Sequence, residues 1–423
     1  MDKNRNGFLK EIVGYEDIKR DLYIISDMLN NPEEYAKMGA SKLDGLILYG
    51  EPGTGKTTMA NGLINSTKRK CFICRKKFAD GSFISKIVQV FEDAKKNAPS
   101  IILLDDVDKF SDKIDDDAPE AEEFATLQAC IDEIRGEDIF ILATANKKGR
   151  LPDSLLRPGR LGKAIKIRNP RKDETAEIIR FYLDKANTSD DLDEESIAMM
   201  LQGESCAILE EVIRSSAVKA AFKRQEFITM ENIVDACLDI VFEAGEFDKS
   251  YDEKTLKMTA YHEAGHALVS ELLDPCSVSI ASIRPGYGRT LGLVRYCRKE
   301  SEEFTFEDHE NILKAVLAGK AATDIIYGEP DVGAYDDLKR AFRLTEKIVD
   351  QYCSYGFHNW IYDSYSDSSE ENRNHTMATI METNYVSVKM ILAKNRDKLD
   401  RLAHELMEKT TLIHSDIQKI VNS

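Results

Sequence analysis

Gly50-Glu51-Pro52-Gly53-Thr54-Gly55-Lys56-Thr57-Thr58 follows the apolar run Leu46-Ile47-Leu48-Tyr49. The nine residues fit G-x-x-x-x-G-K-[ST], and the run before them reads as a short buried strand that feeds a phosphate-cradling loop and then a helix. Gly53 and Gly55 lack a Cβ, so the backbone can turn its N–H groups inward around a polyphosphate, and the helix adds the positive end of its dipole. In such a loop Lys56 sits on the β and γ phosphates and the Thr57 hydroxyl ligates magnesium, while Gly50, Glu51, Pro52, Thr54 and Thr58 complete the nucleotide-binding segment. A bare glycine-rich turn is the bland alternative, and it would not need every fixed position filled in order. ATP with Mg2+ is therefore the expected cofactor.

Outward from the loop, Ile101-Ile102-Leu103-Leu104-Asp105-Asp106 is a buried strand that ends in carboxylates, where a parallel sheet presents its ligand-binding edge. It looks like a Walker B element, with Asp105 in the magnesium shell and Asp106 orienting or deprotonating the attacking water. The simpler reading is a strand ending in solvent, which the preceding phosphate loop disfavours. Ile139 to Asn146 is the next core strand, and Asn146 at its end could polarise the same water. Arg157-Pro158-Gly159-Arg160 follows, and arginines at fixed spacing after such an Asn suit a finger that stabilises charge on a γ phosphate, often a neighbouring subunit's. Residues 111 to 123 are dense in Asp and Glu and read as a solvated loop.

A second centre lies in His262-Glu263-Ala264-Gly265-His266. Histidines four apart lie about 40° from each other round a helix, so both can ligate one metal, with Glu263 placed to activate the metal's water. Such a pair is often only surface, but H-E-x-x-H within the helical stretch Leu256 to Leu273 favours Zn2+. A catalytic zinc usually has three protein ligands, so one more His, Asp or Glu is needed, and the spacing leaves several open.

Formal charge is −17, from 58 basic and 75 acidic residues, and a 42% hydrophobic fraction over 423 residues allows two or three domains with proper cores. That acidity argues against general nucleic-acid or anionic-membrane binding. The clusters Lys68-Arg69-Lys70 and Arg75-Lys76-Lys77 read as solvated surface. Eight scattered cysteines, with one C-x-x-C at Cys71 and Cys74, read as free thiols in a reducing compartment. No apolar run approaches the roughly 18 residues needed to span a bilayer, and Met1 to Lys10 lacks a signal-peptide core, so a soluble, cytoplasmic protein without an intrinsic membrane span is expected.

The phosphate loop, Walker B strand, Asn146 and Leu155 to Arg160 together resemble the AAA+ ATPase module, and the second half narrows the resemblance to the FtsH-type AAA+ zinc proteases. The match runs from about Glu11 to Val421. It implies an α/β P-loop module with a parallel sheet and helical lid, then a mainly α-helical zinc metalloprotease domain. The expected boundaries are 1–169 for the nucleotide-binding subdomain, 170–245 for the lid and 246–423 for the protease. Gly333-Ala334-Tyr335-Asp336-Asp337-Leu338 is similar to the family's G-A-x-N-D-[LI] segment, which makes Asp337 the implied third zinc ligand beside His262 and His266. The resemblance also implies a homo-oligomeric ring, a hexamer, that draws polypeptide substrates through a pore into a chamber of zinc sites. Glu263 then takes a proton from water and passes it to the leaving amine.

The sequence departs from the family at several places. Asp106 stands where Glu is normal, Asp336 where Asn is, and Ala207-Ile208 where a Gly-Ala-Asp run is usual; the pore loop is degraded to Phe78-Ala79-Asp80-Gly81. Phe78 is the candidate substrate-gripping residue and Phe83 its competitor. The family's transmembrane helices are missing, so membrane association is expected only through a missing N-terminal region or an adaptor. Residues 362 to 376, rich in Ser, Asp, Glu and Asn, read as a flexible insertion before two final amphipathic helices. Two rivals remain: an AAA+ remodelling ATPase with a scaffold-like protease domain, and a zinc peptidase whose ATPase is dead because of Asp106.

Overall fold

Apolar runs that bury both faces belong in a parallel sheet, and three of the five N-terminal strands take that form. They are seen in a computed structural model that describes residues 12–40, 42–76, 82–110, 122–244, 251–285, 291–297, 305–328, 333–355 and 367–423. Strands β1 (Gly45–Tyr49), β2 (Lys70–Cys74), β3 (Ser100–Leu104), β4 (Ile139–Ala145) and β5 (Lys163–Lys166) form one sheet in the order β2-β3-β4-β1-β5. Every pairing is parallel, with Gly45 opposite Ile141 and Ser100 opposite Ile139. The three central strands, β3, β4 and β1, are buried nearly throughout, so their carboxyl ends all open on one edge of the sheet.

Helices α1 (Glu16–Asn30), α2 (Pro32–Lys37), α3 (Lys56–Asn65), α4 (Phe83–Lys96) and α5 (Glu122–Glu133) accompany this sheet. Phe83, at the first position of α4, is buried and packs edge-on against Phe110 at 4.7 Å. That rules Phe83 out as a substrate-gripping residue; it is a core side chain. Phe78 lies outside the described residues.

The chain divides into two compact units, Met1–Ala186 with Gly203–Ile213, and Asn187–Gln202 with Arg214–Ser423. Residues 172–241 are helical, as their periodicity predicts, in α6 (Lys172–Leu183), α7 (Glu194–Met200), α8 (Cys206–Phe222) and α9 (Met230–Val241). These helices are shared between the two units, α6 falling in the first and α7 and α9 in the second.

The second unit is organised around α10 (Glu253–Leu273), whose residues from Ala264 to Glu271 are all buried. A helix buried on all sides needs covering on all sides. The cover comes from α11 (Phe306–Tyr327), α13 (Asp367–Lys394), α14 (Arg396–Lys409) and a small antiparallel sheet of β6 (Val278–Pro285), β7 (Leu291–Tyr296) and β8 (Thr411–Ile413), in the order β7-β6-β8. The remaining helices are α12 (Tyr335–Glu346), which runs into a π turn at Lys347–Gln351, and α15 (His414–Val421).

The second unit is mainly helical, as expected, and the small sheet, with Ile280 opposite Ile413, is a minor addition to it. One expectation is corrected. The polar stretch read as a flexible insertion is helical from Asp367 onward. Arg373 explains why a surface-like composition is ordered here, since its guanidinium reaches Asp350 at 2.6 Å and Glu346 at 2.7 Å and ties the start of α13 to the end of α12. No helix among the described residues is long and apolar enough to cross a membrane.

Candidate functional sites

At the carboxyl edge of the large sheet, the Gly50 amide donates to the Ala145 carbonyl at 3.2 Å, which brings the start of the phosphate loop beside Asn146. Gly55, with φ +90, leads into α3, so the loop's amides and the helix's positive end face the same space. Lys56 is buried and its Nζ donates to the Gly50 and Glu51 carbonyls at 2.9 and 2.7 Å. Burial pulls its ammonium below the ordinary lysine value, and the charges of Asp106 and Asp108 oppose that pull.

Asp105 is held from two sides. Thr144 Oγ1 donates to Asp105 Oδ1 at 2.8 Å and itself accepts from the Asp106 amide at 2.9 Å. Arg75 Nη2 contacts the other oxygen, Oδ2, at 2.7 Å. Thr144 was not singled out by the sequence, although its place follows from register: Leu104 pairs with Ala143, so the next residues on the two strands meet. Asp106 adopts the left-handed conformation (φ 56, ψ 49), which Asp tolerates better than most residues, and its carboxylate pairs with Lys109 at 2.9 Å. Asp108 accepts from the Lys147 amide at 3.2 Å, fixing the turn that carries Asn146.

The two arginines differ. Arg160 is clamped by Asp132, with contacts of 3.1 and 2.6 Å, and donates to the Ser154 carbonyl at 2.7 Å, whereas Arg157 is exposed. The basic clusters are also less solvated than their composition suggests. Arg69 pairs with Asp138 at 2.8 Å, Arg75 with Asp105, and Lys76 Nζ donates to the Phe110 carbonyl at 2.9 Å. At the divergent Ala207-Ile208 segment, the Ala207 amide donates to the Gly53 carbonyl at 3.0 Å, so this stretch packs directly on the phosphate loop.

In the second unit the His262, His266 and Asp337 side chains meet. His262 Nε2 lies 3.0 Å from Asp337 Oδ2, His266 Nε2 lies 3.2 Å from the same oxygen, and the two nitrogens are 3.1 Å apart. This is the one group of three potential metal ligands among the described residues, its ligand atoms all within 4.8 Å of one another. A tetrahedral zinc with ligands at its usual bond lengths spaces them about 3.3 Å apart, so the triangle fits that ion. His266 Nδ1 is 2.7 Å from the Ala315 carbonyl, a partner that makes Nδ1 the protonated nitrogen and leaves the Nε2 lone pair facing the cluster. Asp337 stands in the first turn of α12, and burial of its carboxylate is outweighed by the two imidazoles beside it, so that it lies below the usual carboxylate range. Asp336 lines the neighbouring cavity and is not part of the cluster.

Glu263 is buried, and that burial pushes its carboxyl up to about 7 against the opposing charge of His262 and His266. Two glycines that sequence reasoning missed shape the surroundings. A Cβ on Gly319 of α11 would come 2.4 Å from His266 Nε2 and 2.5 Å from His262 Nε2. One on Gly292 of β7 would come 2.5 Å from Glu263 Oε1. The cluster and Glu263 open on a cavity of about 500 Å3 that β7 also lines. A largely apolar cavity of about 340 Å3 shares Tyr296, Val316 and Arg340 with it.

The family model for the ATPase family associated with various cellular activities (AAA) matches residues 46–169, and that for peptidase family M41 matches residues 249–420. The chain is 30% identical to the ATP-dependent zinc metalloprotease FtsH 2 of Thermoanaerobacter sp. (strain X514), across 99% of this chain and 83% of that protein. It is 29% identical to FtsH 2 of Phytoplasma mali, covering 98% of this chain and 63% of the relative. With FtsH of Caldicellulosiruptor bescii the identity is 28%, covering 100% and 73%.

Replacing Gly by Ala inside a helix ordinarily stabilises it by about 1 kcal/mol. Gly319→Ala should instead weaken zinc retention about tenfold or more in a graded chelator competition, because its methyl group displaces both imidazoles. Retention equal to that of the unaltered chain would contradict the close packing described here.

Proposed function

The chain belongs to the FtsH family of ATP-dependent zinc metalloproteases, and from that premise we propose how its residues divide the work. It is an ATP-dependent zinc protease with Zn2+ and ATP with Mg2+ as cofactors. His262, His266 and Asp337 hold the zinc, a role supported above all by the convergence of their three ligand atoms. Zinc bound there supplies Lewis-acid polarisation of a peptide carbonyl and a more acidic water. Glu263 takes a proton from water and returns it to the leaving amine nitrogen.

β7 pairs with β6 alone among the described residues, and its Gly292 lies against Glu263. An extended substrate added along that edge would hold its backbone by strand hydrogen bonds and carry a peptide bond past the Glu263 carboxylate. The adjoining apolar cavity takes an apolar side chain of the substrate.

In the first unit Lys56 and the loop amides hold the phosphates, Thr57 and Asp105 belong to the magnesium shell, and Asp106 with Asn146 orients the attacking water. Asp is one carbon shorter than Glu, and the left-handed backbone at 106 together with an intervening water restores reach. Arg157, exposed, acts on a neighbouring subunit's nucleotide, while Arg160, held by Asp132, positions the turn that presents it. Such trans contacts suit a closed ring of identical subunits, which we take to be a hexamer that draws polypeptides toward the zinc sites. The subdomain boundaries 169/170 and 245/246 belong to the same proposal. A chaperone-like ATPase is disfavoured by the peptidase match over residues 249–420 together with the His-His-Asp group.

Two substitutions separate the two activities. Glu263→Gln should lower casein cleavage by roughly 100-fold or more while zinc content and ATP hydrolysis stay at the unaltered level. Cleavage at the unaltered rate would remove Glu263 from its role. Asp106→Asn should stop steady-state phosphate release, and with it degradation of a folded substrate, while ATP still binds. Phosphate release as fast as that of the unaltered chain would assign the water to another residue.

A further inference from the structure

Arg75 is the last place to expect a functional residue, since it lies in a run that reads as solvated surface. Its position follows from strand pairing: the Asp105 amide donates to the Cys74 carbonyl at 3.0 Å, extending the β2–β3 ladder by one residue and setting Arg75 beside Asp105. Asp105 Oδ1 is satisfied by Thr144 within the sheet, and Oδ2 contacts the Arg75 guanidinium at 2.7 Å. The Asp105 side chain is 6% exposed and the Arg75 side chain 51% exposed. A carboxylate that buried needs a cation, whereas a half-exposed guanidinium can withdraw into water at small cost.

We propose that the Arg75–Asp105 ion pair is an autoinhibitory contact, one that magnesium nucleotide must displace before Asp105 can join the magnesium shell. The proposal rests on the role given to Asp105 above. A guanidinium on Oδ2 and a magnesium shell centred on the same carboxylate exclude each other by charge and by space. The neighbouring cations are arranged in the same sense. Lys56 is bonded to the Gly50 and Glu51 carbonyls and Lys109 to Asp106, so each of the three is engaged with a group of the nucleotide site itself.

The exchange needs only a side-chain movement. The Arg75 carbonyl accepts from Lys86 Nζ at 3.0 Å, and Lys76 Nζ holds the Phe110 carbonyl at 2.9 Å and pairs with Glu123 at 3.4 Å. These anchors keep the end of β2 in place when Arg75 swings out. Losing the pair therefore spares the fold and changes how much magnesium is needed to load nucleotide.

The test is binding of a fluorescent ADP analogue to the full chain, titrated with Mg2+, for the unaltered protein, Arg75→Gln, Arg75→Lys and Asp105→Asn. Arg75→Gln should lower the half-saturating Mg2+ concentration about fivefold, the scale of a half-exposed ion pair, with analogue affinity in chelator unchanged. Arg75→Lys, which keeps the charge on a different geometry, should fall between. Equal Mg2+ midpoints for Arg75→Gln and the unaltered chain, while Asp105→Asn raises its own, would overturn the autoinhibitory contact and leave the role of Asp105 standing. Weaker analogue binding by Arg75→Gln in chelator would overturn it too, by making Arg75 a phosphate ligand. An Asp105→Asn midpoint equal to the unaltered one would overturn both.

Discussion

The zinc site depends on how closely α10 and α11 approach each other. A Cβ on Gly265 would lie 2.6 Å from both the Ala318 carbonyl oxygen and the Ala322 Cβ, so the helices touch backbone to side chain along a seam of small residues. On the same stretch of α11, Gly319 leaves room for both imidazoles, and the Ala315 carbonyl fixes the tautomer of His266. Larger residues on that seam would part the helices, and the triangle with Asp337 would open. Toward the end of α10 the buried polar groups are paired: Ser270 Oγ meets Ser277 Oγ at 2.8 Å, and Glu271 accepts from the Cys276 and Val278 amides at 2.8 and 2.7 Å, closing the turn from α10 into β6.

A different constraint governs the nucleotide site. Parallel strands in register bring their carboxyl ends to one edge, and there the phosphate loop, Asp105, Thr144 and Asn146 become neighbours although β1 and β4 are far apart in sequence. The acidic end of β3 is stabilised by a hydroxyl from the next strand and a guanidinium from the strand on its other side. In both units, then, rigid elements position the reactive groups and small residues or short hydrogen bonds set their spacing.

Both centres were legible in sequence where the chemistry is local. The phosphate loop and His262-Glu263-Ala264-Gly265-His266 each place their groups within one loop or two helical turns, so spacing alone fixes which side chains share a face. Asp337 is 71 residues from His266, and only family resemblance distinguished it from Asp336. Features made by distant partners were not legible. The small sheet pairs Ile280 with Ile413, and buried Ser279 and Ser282 make its central strand look polar until their bonds to the Arg295 and Thr410 carbonyls are seen. Arg373 and Arg75 mislead for the same reason, since composition records their charge and not the carboxylates they reach. Gly319 and Gly292 carry no local signal at all, because what they accommodate lies on another element.

X-ray absorption at the zinc edge of the metal-loaded full chain tests the central claim most directly. Two imidazole nitrogens and oxygen ligands, at about 2.0–2.2 Å, are the shell expected from His262, His266 and Asp337. A sulfur ligand at about 2.3 Å or a third imidazole would contradict it.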